Sequence, residues 1–241
     1  MRKFFLLAIA MAVAPLDSQA DIKGLDRLTQ TQFKPFAGDL VSALSYKAVA
    51  PAEPLGVTGF DLSLGLSVMQ TDSDLPWGIA VGSKKSYLTM PRISLQKGLP
   101  LGIDVGGSYA TAPGTGIQFF GAEVKYSLVE GGTVLPAIAI RAAATQLAGV
   151  DDLDLDTRSI ELTASKGLLN FTPYVGVGKI WGDVTPQNAA LSGAARLKKE
   201  SPDMVRVFAG LNFSLLIGNL AIEVERTGEN LGVSTKIGVR F

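Results

Sequence analysis

The sequence predicts an all-β protein, an antiparallel transmembrane β-barrel of about ten strands preceded by a short amino-terminal amphipathic helix. Apolar and polar residues alternate through most of the 241 residues, which is the period of a strand with one apolar and one polar face. Gly and Pro, which number 27 and 12, separate the alternating segments as turn residues do. Only 18% of the residues are charged, a composition that excludes a disordered chain.

The composition also excludes several classes of function. Lys and Arg together number 22, as do Asp and Glu, so no basic excess is available to bind nucleic acid. The sequence has no His and no Cys, which excludes Ser-His-Asp and Cys-His catalysis and thiolate or imidazole metal sites. We therefore expect no enzyme activity and no cofactor, while ligand binding, a pore and a structural role stay open.

The first twenty residues have the three parts of a secretory signal peptide. Basic residues at positions 2 and 3 precede an apolar run over 4–14, and small residues surround a cleavage site after Ala20. The apolar run is too short to span about 30 Å of hydrocarbon. We expect an exported chain with an amino-terminal helical segment at 21–56 and a barrel at 57–241.

Residues 25–44 follow a helical period, because apolar residues recur every three or four positions. The spacing predicts one amphipathic helix, or two short helices with Pro35 near the start of the second. The segment is either a loosely ordered tail or a plug for the barrel. Its apolar stripe consists of Leu25, Leu28, Phe36, Leu40 and Leu44.

Ten segments carry the strand period. In the first of them, residues 60, 62, 64, 66 and 68 are all apolar, and the residues between them are Asp, Ser, Gly and Ser. Residues 42–48 and 78–83 are alternative eleventh and twelfth strands. The ten predicted strands cover about 57–70, 86–97, 101–112, 117–128, 133–147, 158–166, 171–182, 204–216, 220–227 and 233–241.

Alternation alone fits a soluble β protein as well as a membrane barrel, but two further features favour the membrane. Tight turns at 97–100, 129–132, 167–170 and 217–219 alternate with connections that are mostly longer. Aromatic residues on the apolar face then form two bands near opposite strand ends, as expected at two membrane–water interfaces. One band holds Tyr87, Tyr109, Phe120 and Trp181, and the other holds Phe60, Tyr126, Phe171, Phe213 and Phe241.

The last predicted strand places every second residue on its apolar face and has an aromatic residue at its end: Val233, Thr235, Ile237, Val239 and Phe241. This pattern resembles the carboxy-terminal signal of bacterial outer-membrane β-barrel proteins, which the barrel-insertion machinery reads. The resemblance covers these nine residues closely and the rest of the chain only as architecture. It implies periplasmic tight turns, residence in the outer membrane, and contact with outer-membrane lipid and lipopolysaccharide.

The polar face carries equal numbers of acidic and basic residues. Charges inside a low-dielectric tube are tolerated when they are paired, so we expect ion-pair networks across the lumen and no strong ion selectivity. A ligand or ion pathway that uses the same residues is the alternative. The twelve residues are Asp61, Asp104, Glu123, Glu161, Glu223, Glu225, Arg92, Lys125, Arg141, Arg206, Lys236 and Arg240.

Glycines on the polar face predict free volume inside the barrel, which water, a ligand or the amino-terminal segment can fill. We expect residues 25–44 to lie in or across the periplasmic mouth as a plug, against a wall of small residues of mixed polarity. The eight glycines are Gly65, Gly102, Gly106, Gly121, Gly176, Gly178, Gly210 and Gly238.

An acidic segment at 150–157 is the one candidate metal site. Asp152, Asp154 and Asp156 have a spacing that suits Ca²⁺, but the Gly and Glu of an EF-hand loop are missing at the required offsets. We therefore expect a solvated loop and no bound metal.

The sequence favours a small outer-membrane barrel that acts as a narrow or plugged channel, or as a binder, for small or apolar solutes. Two alternatives stay open. One is a structural or surface-interaction outer-membrane protein without transport, and the other is a soluble periplasmic β-barrel.

Overall fold

The computed structural model describes residues 24–71, 74–82, 86–111, 117–187 and 196–241; the predicted signal peptide lies outside them. Ten strands close into a single antiparallel barrel, in which sequence neighbours pair and β1 pairs with β10. The predicted fold class is thus confirmed. The strands are β1 (Phe60–Gln70), β2 (Tyr87–Gly98), β3 (Ile103–Thr111), β4 (Gln118–Val129), β5 (Ala137–Ala148), β6 (Leu153–Ser165), β7 (Phe171–Pro186), β8 (Asp203–Leu215), β9 (Gly218–Thr227) and β10 (Asn230–Arg240).

The two ends of the barrel differ in their connections. We call one the turn end: it carries the connections at 99–102, 130–136, 166–170 and 216–217. Phe60 and Phe241 meet there, with the Phe241 amide donating to the Phe60 carbonyl over 3.0 Å. The opposite end, the loop end, carries the connections at 71–86, 112–117, 149–152, 187–202 and 228–229.

Two helices accompany the barrel. Helix α1 (Gln30–Leu44) follows a 3-10 turn at Leu25–Arg27 and begins at a capping box, in which Thr29 and Gln32 satisfy each other's backbone amides. It continues through the exposed Pro35, so the two-helix alternative is wrong. Helix α2 (Asp74–Val81) lies in the β1–β2 connection. Among the described residues, no helix is both long and apolar enough to cross a membrane.

The alternative eleventh and twelfth strands are wrong. Residues 42–44 form the last turn of α1, where their helical period continues that of the preceding residues. Residues 78–81 belong to α2. Neither segment pairs with the barrel wall as a strand, and the closed sheet is complete without them.

The barrel wall is inside out relative to a water-soluble protein. Leu64 on β1 is 56% exposed and Val205 on β8 is 58% exposed, whereas Arg206 beside Val205 is 1% exposed. Since neighbouring residues of a strand point to opposite faces, apolar side chains cover most of the outside and many polar ones face the lumen.

Aromatic pairs lie near both ends of the outer surface. At the turn end, the ring centroids of Phe60 and Phe241 are 5.5 Å apart and those of Phe171 and Phe213 are 6.5 Å apart. Towards the loop end, Tyr109 and Phe120 are 5.2 Å apart across the β3–β4 pair. Six of the nine members of the two predicted bands therefore meet as cross-strand pairs.

Candidate functional site

The amino-terminal segment runs through the inside of the barrel from one end to the other. It begins at the loop end, where the Gly24 amide donates to the carbonyl of Ala80 on α2 over 3.2 Å. Helix α1 then descends into the lumen, and residues 45–55 continue without regular structure. At the turn end the Leu55 amide reaches Asp104 Oδ1 on β3 over 3.1 Å. We call residues 24–55 the lumen segment.

The five stripe residues predicted for a plug are all buried, but they lie at the other mouth of the barrel. Leu25, Leu28, Phe36, Leu40 and Leu44 are in one apolar cluster with α2 and the loop-end half of the wall. The predicted placement at the mouth formed by the tight turns is wrong. The reason is the wall, whose large apolar cluster lies in its loop-end half.

The wall around α1 also differs from the expected small and mixed surface. It presents apolar side chains from six strands, most of them large, so the helix packs into an apolar cup. Its described members are Met69, Leu88, Met90, Ala110, Phe119, Leu153, Leu155, Ile180 and Val184.

Close contacts fix the helix within this cup. The Phe36 ring lies 4.6 Å from that of Trp77 on α2, centroid to centroid. Asp39, buried on the same face, accepts hydrogen bonds from the Trp77 indole (2.9 Å) and from the side-chain Nδ2 of Asn230 (2.7 Å). Val41 packs against the backbone of Gly182 on β7, where any Cβ would collide with the valine side chain.

The β7–β8 connection covers the start of α1. Leu197 is buried in the same apolar cluster. The Lys198 amide donates to the Gln30 side-chain oxygen over 2.8 Å. Glu200 forms a β-bridge with Val184, which ties this part of the connection to the end of β7. The loop end is thus capped by α2 and by residues 197–200.

In the turn-end half, the lumen segment is held by polar groups of the wall. The Ala52 amide donates to Ser165 Oγ over 2.9 Å. Lys125 Nζ donates to the Glu53 carbonyl over 2.8 Å. Nearer the loop end, Tyr46 packs against Gly121 on β4, where an added Cβ would lie 2.7 Å from the ring. Every residue from 45 to 52 is buried.

Arg206 is the centre of a buried charge cluster. Its guanidinium pairs with Glu161, with Glu223 (2.6 Å) and with Glu225 (2.7 Å from Nε). Three carboxylates around one cation leave an excess of negative charge, which Lys47 of the lumen segment reduces by pairing with Glu225. Lys47 Nζ also donates to the Ser42 carbonyl over 3.0 Å and to Ser45 Oγ over 2.9 Å.

The other predicted lumen charges form smaller groups. Arg141 joins Glu123 (2.7 Å) to Glu161 (3.2 Å), so its pairs connect with the Arg206 cluster. Arg92 donates to the Lys47 carbonyl over 2.6 Å. The remaining pairs are Lys125 with Asp104 (2.8 Å) and Lys236 with Asp61 (3.2 Å).

Arg240 is the one predicted lumen charge that is not buried: it is half-buried at the turn end. Its backbone amide donates to the Ile217 carbonyl over 2.8 Å. The structure therefore brings eleven of the twelve predicted residues into the lumen. It connects most of them through ion pairs within the wall, and Lys47 adds a pair between wall and lumen segment.

The expectation of free volume at the lumen glycines is wrong for most of them, although at Gly121 the space is taken by Tyr46 of the lumen segment, one of the expected occupants. Side chains of neighbouring residues occupy the space at most of them: Phe208 at Gly176, Tyr174 at Gly210, and Glu161 at Gly178. The glycines make room for large charged and aromatic neighbours, which a sequence pattern does not indicate. Gly102 is not in a strand and has a φ of +70° in the β2–β3 turn.

The acidic candidates do not form a loop site. Strand β6 begins at Leu153, so Asp154 and Asp156 lie on its exposed outer face, and Asp152 precedes the strand. Asp154 accepts a hydrogen bond from Gln187 over 2.8 Å. The described residues contain no group of three acidic residues that suits a metal ion.

The carboxy-terminal pattern lies on the outer face, as the alternation predicts. Its residues Val233, Thr235, Ile237, Val239 and Phe241 are all exposed.

Sequence reasoning missed the charged residues of the lumen segment. Asp39 lies between Phe36 and Leu40 on the apolar stripe of α1, and a carboxylate on such a stripe indicates a buried polar partner. Lys47 and Glu53 lie in a stretch without a period. Their roles depend on wall residues far away in sequence, so no local signal points to them.

No protein-family model and no curated protein matches the sequence. Among solved structures, the chain is similar to the amino-terminal β-barrel domain of Pseudomonas aeruginosa OprF, with 10% identity over 77% of this chain and 99% of that one, and a TM-score of 0.41. It is also similar to the KdgM porin in complex with oligogalacturonate, with 6% identity, 76% and 99% coverage, and a TM-score of 0.39. Neisserial surface protein A matches with 9% identity, 76% and 94% coverage, and a TM-score of 0.32.

Proposed function

We propose that this chain is an integral β-barrel of the bacterial outer membrane that its own amino-terminal segment closes at rest. Small solutes pass only when the lumen segment moves out of the way. The barrel is non-enzymatic in this proposal, and its partners are outer-membrane lipid, lipopolysaccharide and the barrel-insertion machinery.

The main support for residence in a membrane is the barrel wall, whose outer face is apolar and whose inner face holds the charged residues. Exposed leucines, isoleucines and valines on nine of the ten strands would be in contact with water in a soluble protein, whereas charged residues are buried in the lumen. Lipid is the environment that favours this distribution, and outer-membrane barrels alternate apolar outward and polar inward residues. The same distribution argues against a soluble periplasmic barrel.

The buried lumen segment supports a barrel that is closed at rest. Side chains of α1 are buried in the loop-end half, and residues 45–52, which continue from the helix towards the turn end, are all buried. The lumen segment belongs to the chain itself but not to the closed sheet. It therefore can leave by local unfolding while the strands stay paired.

The two halves of the lumen differ in polarity, so they would bind different parts of a solute. If α1 leaves, the cup around Phe119 and Ile180 is an apolar surface at the loop end. Below it, the Arg206 cluster presents charged groups. A small solute with apolar and polar parts fits this order better than a purely apolar one.

A gel and a conductance measurement test the proposal together. The folded protein in detergent should run at a different apparent mass before and after boiling. In planar bilayers the full mature chain should give little conductance, and deletion of residues 21–55 should raise it while the folded gel band is kept. A folded protein that is fully soluble without detergent would contradict the membrane assignment.

A structural or surface-interaction protein without transport is the second candidate. The extent of the contacts favours it, because the lumen segment is bound along its whole length, from Gly24 at the loop end to Leu55 at the turn end. Equal and negligible conductance for the full chain and for the chain without residues 21–55 would support this candidate over the plugged channel.

A further inference from the structure

The connections at the turn end carry large aliphatic side chains that are exposed, two of them completely. Leu169 and Leu216 are 103% and 106% exposed. We call the exposed aliphatic residues of these connections, together with Leu215 at the end of β8, the turn rim. The rim consists of Leu99, Leu101, Val134, Leu135, Leu168, Leu169, Leu215, Leu216 and Ile217, and it draws on the connections after β2, β4, β6 and β8.

Three of the rim leucines occupy backbone positions that leucine normally avoids. The φ angles are +65° at Leu101, +54° at Leu169 and +53° at Leu216. Gly, Asn or Asp adopts this left-handed conformation with less strain and is usual in water-exposed turns. Leucine in this strained conformation at the tips of three separate turns indicates that the surroundings of these tips favour an apolar side chain.

The backbone of the rim is hydrogen-bonded within the protein. Lys166 Nζ donates to the carbonyls of Gly132 (2.7 Å), Thr133 (2.8 Å) and Leu135 (3.2 Å). Leu168 and Phe171 exchange two backbone hydrogen bonds of 2.8 and 3.1 Å. Backbone groups that are satisfied internally are what a segment in contact with lipid requires.

The outer face of β6 is too short for a bilayer without the rim. Towards the loop end this face carries Asp154, Asp156 and Arg158, so its apolar stretch begins at Ile160. At the usual strand rise and tilt, Ile160 to Ala164 covers about 10 Å along the bilayer normal, against a usual apolar band of roughly 25 Å. Continuing past Lys166, whose Nζ is bound to carbonyls of the neighbouring connection, to Leu168 in the rim brings the length to about 20 Å.

We propose that the turn rim inserts into the apolar region of the lipid leaflet at the turn end, so that the barrel is embedded in lipid to the tips of its turns. This inference rests on the proposed membrane residence. The rim continues the outward apolar face without a break, from Phe213 to Leu215 on β8 and from Phe171 to Leu169 at β7. Its residues are distributed around the whole circumference, which fits a lipid plane better than a protein bound to one side.

The absence of Cys makes a site-directed spin-label experiment direct. Leu169→Cys and Leu216→Cys are labelled separately, and each protein is folded into phosphatidylcholine vesicles. Accessibility is then measured to oxygen, which partitions into lipid, and to a water-soluble nickel chelate. Leu64→Cys on the outer face and Glu229→Cys in the β9–β10 turn are the lipid and water references.

The rim labels should resemble the label at Leu64, with an oxygen-to-nickel accessibility ratio several times that of the label at Glu229. Rim labels that resemble Glu229, with Leu64 still in lipid, would overturn this inference and leave the membrane barrel intact. Water-like values at Leu64 as well would contradict the proposed membrane residence. Spin–spin broadening that disappears on dilution with unlabelled protein would assign the rim to contacts between copies instead.

Discussion

At the scale of single residues, the lumen is organised around buried charges that neutralise one another. Arg206 contacts three glutamates, and Lys47 from the lumen segment shares one of them. Placing charges away from water is unfavourable unless each finds partners, and removing one partner leaves the others uncompensated. The cluster therefore links the wall to the lumen segment, and its members depend on one another.

Arg206→Met tests this dependence. The change leaves Glu161, Glu223 and Glu225 without their shared cation, so we expect a loss of about 3–5 kcal/mol in the free energy of unfolding. Urea titration of the folded barrel in detergent measures it. Arg226→Met is the control, because Arg226 pairs with Glu229 in an exposed position and should cost less than about 1 kcal/mol. Equal losses for the two variants would contradict the role of the cluster.

At the scale of elements, α1 is a helix that is built for the inside of this barrel. Its buried positions Phe33, Phe36, Leu40 and Leu44 recur at helical spacing and face the apolar cup. Trp77 on α2 and Asn230 at the start of β10 bind its one buried carboxylate, Asp39. These hydrogen bonds therefore fix the position of the helix more closely than apolar packing alone would.

Phe36→Ala should release α1 without unfolding the barrel. Removing a fully buried aromatic ring costs about 3–5 kcal/mol, and this cost falls on the docking of the helix. Protease cleavage within residues 24–55 should become much faster, while the gel mobility of the folded barrel stays the same. Lys34→Ala, at an exposed position of the same helix, should leave the cleavage rate unchanged. A Phe36→Ala protein as resistant as the parent would show that the helix is not held by this contact.

The strands were predictable from sequence because each has two different environments on its two faces, so a strict period of two survives along the wall. The helix was predictable for the same kind of reason. Its position was not, because the apolar cup is formed partly by Leu153 and Leu155, which lie in a segment that reads as an acidic loop. The course of residues 45–55 has no period at all, and only distant partners such as Glu225 and Ser165 fix it.

At the scale of the whole molecule, the outer surface is apolar and the lumen contains buried charges, which is the reverse of a water-soluble protein. Apolar side chains cover the outside, and the larger apolar cluster inside is the one around α1. The stability of the barrel should therefore depend on lipid, whereas the closure of the lumen depends on contacts within the chain.

Leu64→Arg tests the dependence on lipid. If Leu64 lies near the middle of the bilayer, an arginine there should lower the stability of the barrel in lipid bilayers by about 2–4 kcal/mol. Denaturant titration in vesicles measures the change, and Glu229→Arg in an exposed turn serves as the control. A Leu64→Arg protein that is as stable in bilayers as the control would contradict the orientation of this face.

The position of the lumen segment is tested most directly by a disulfide between Val41→Cys and Gly182→Cys. A Cβ at Gly182 would lie 3.1 Å from the Val41 Cβ, close to the separation of about 3.5–4.5 Å in disulfides, and no other Cys is present. Counting free thiols in the folded, oxidised protein should give none, and this protein should stay closed in planar bilayers. Two free thiols, or a cross-linked protein that conducts as well as the chain without residues 21–55, would contradict the closed barrel.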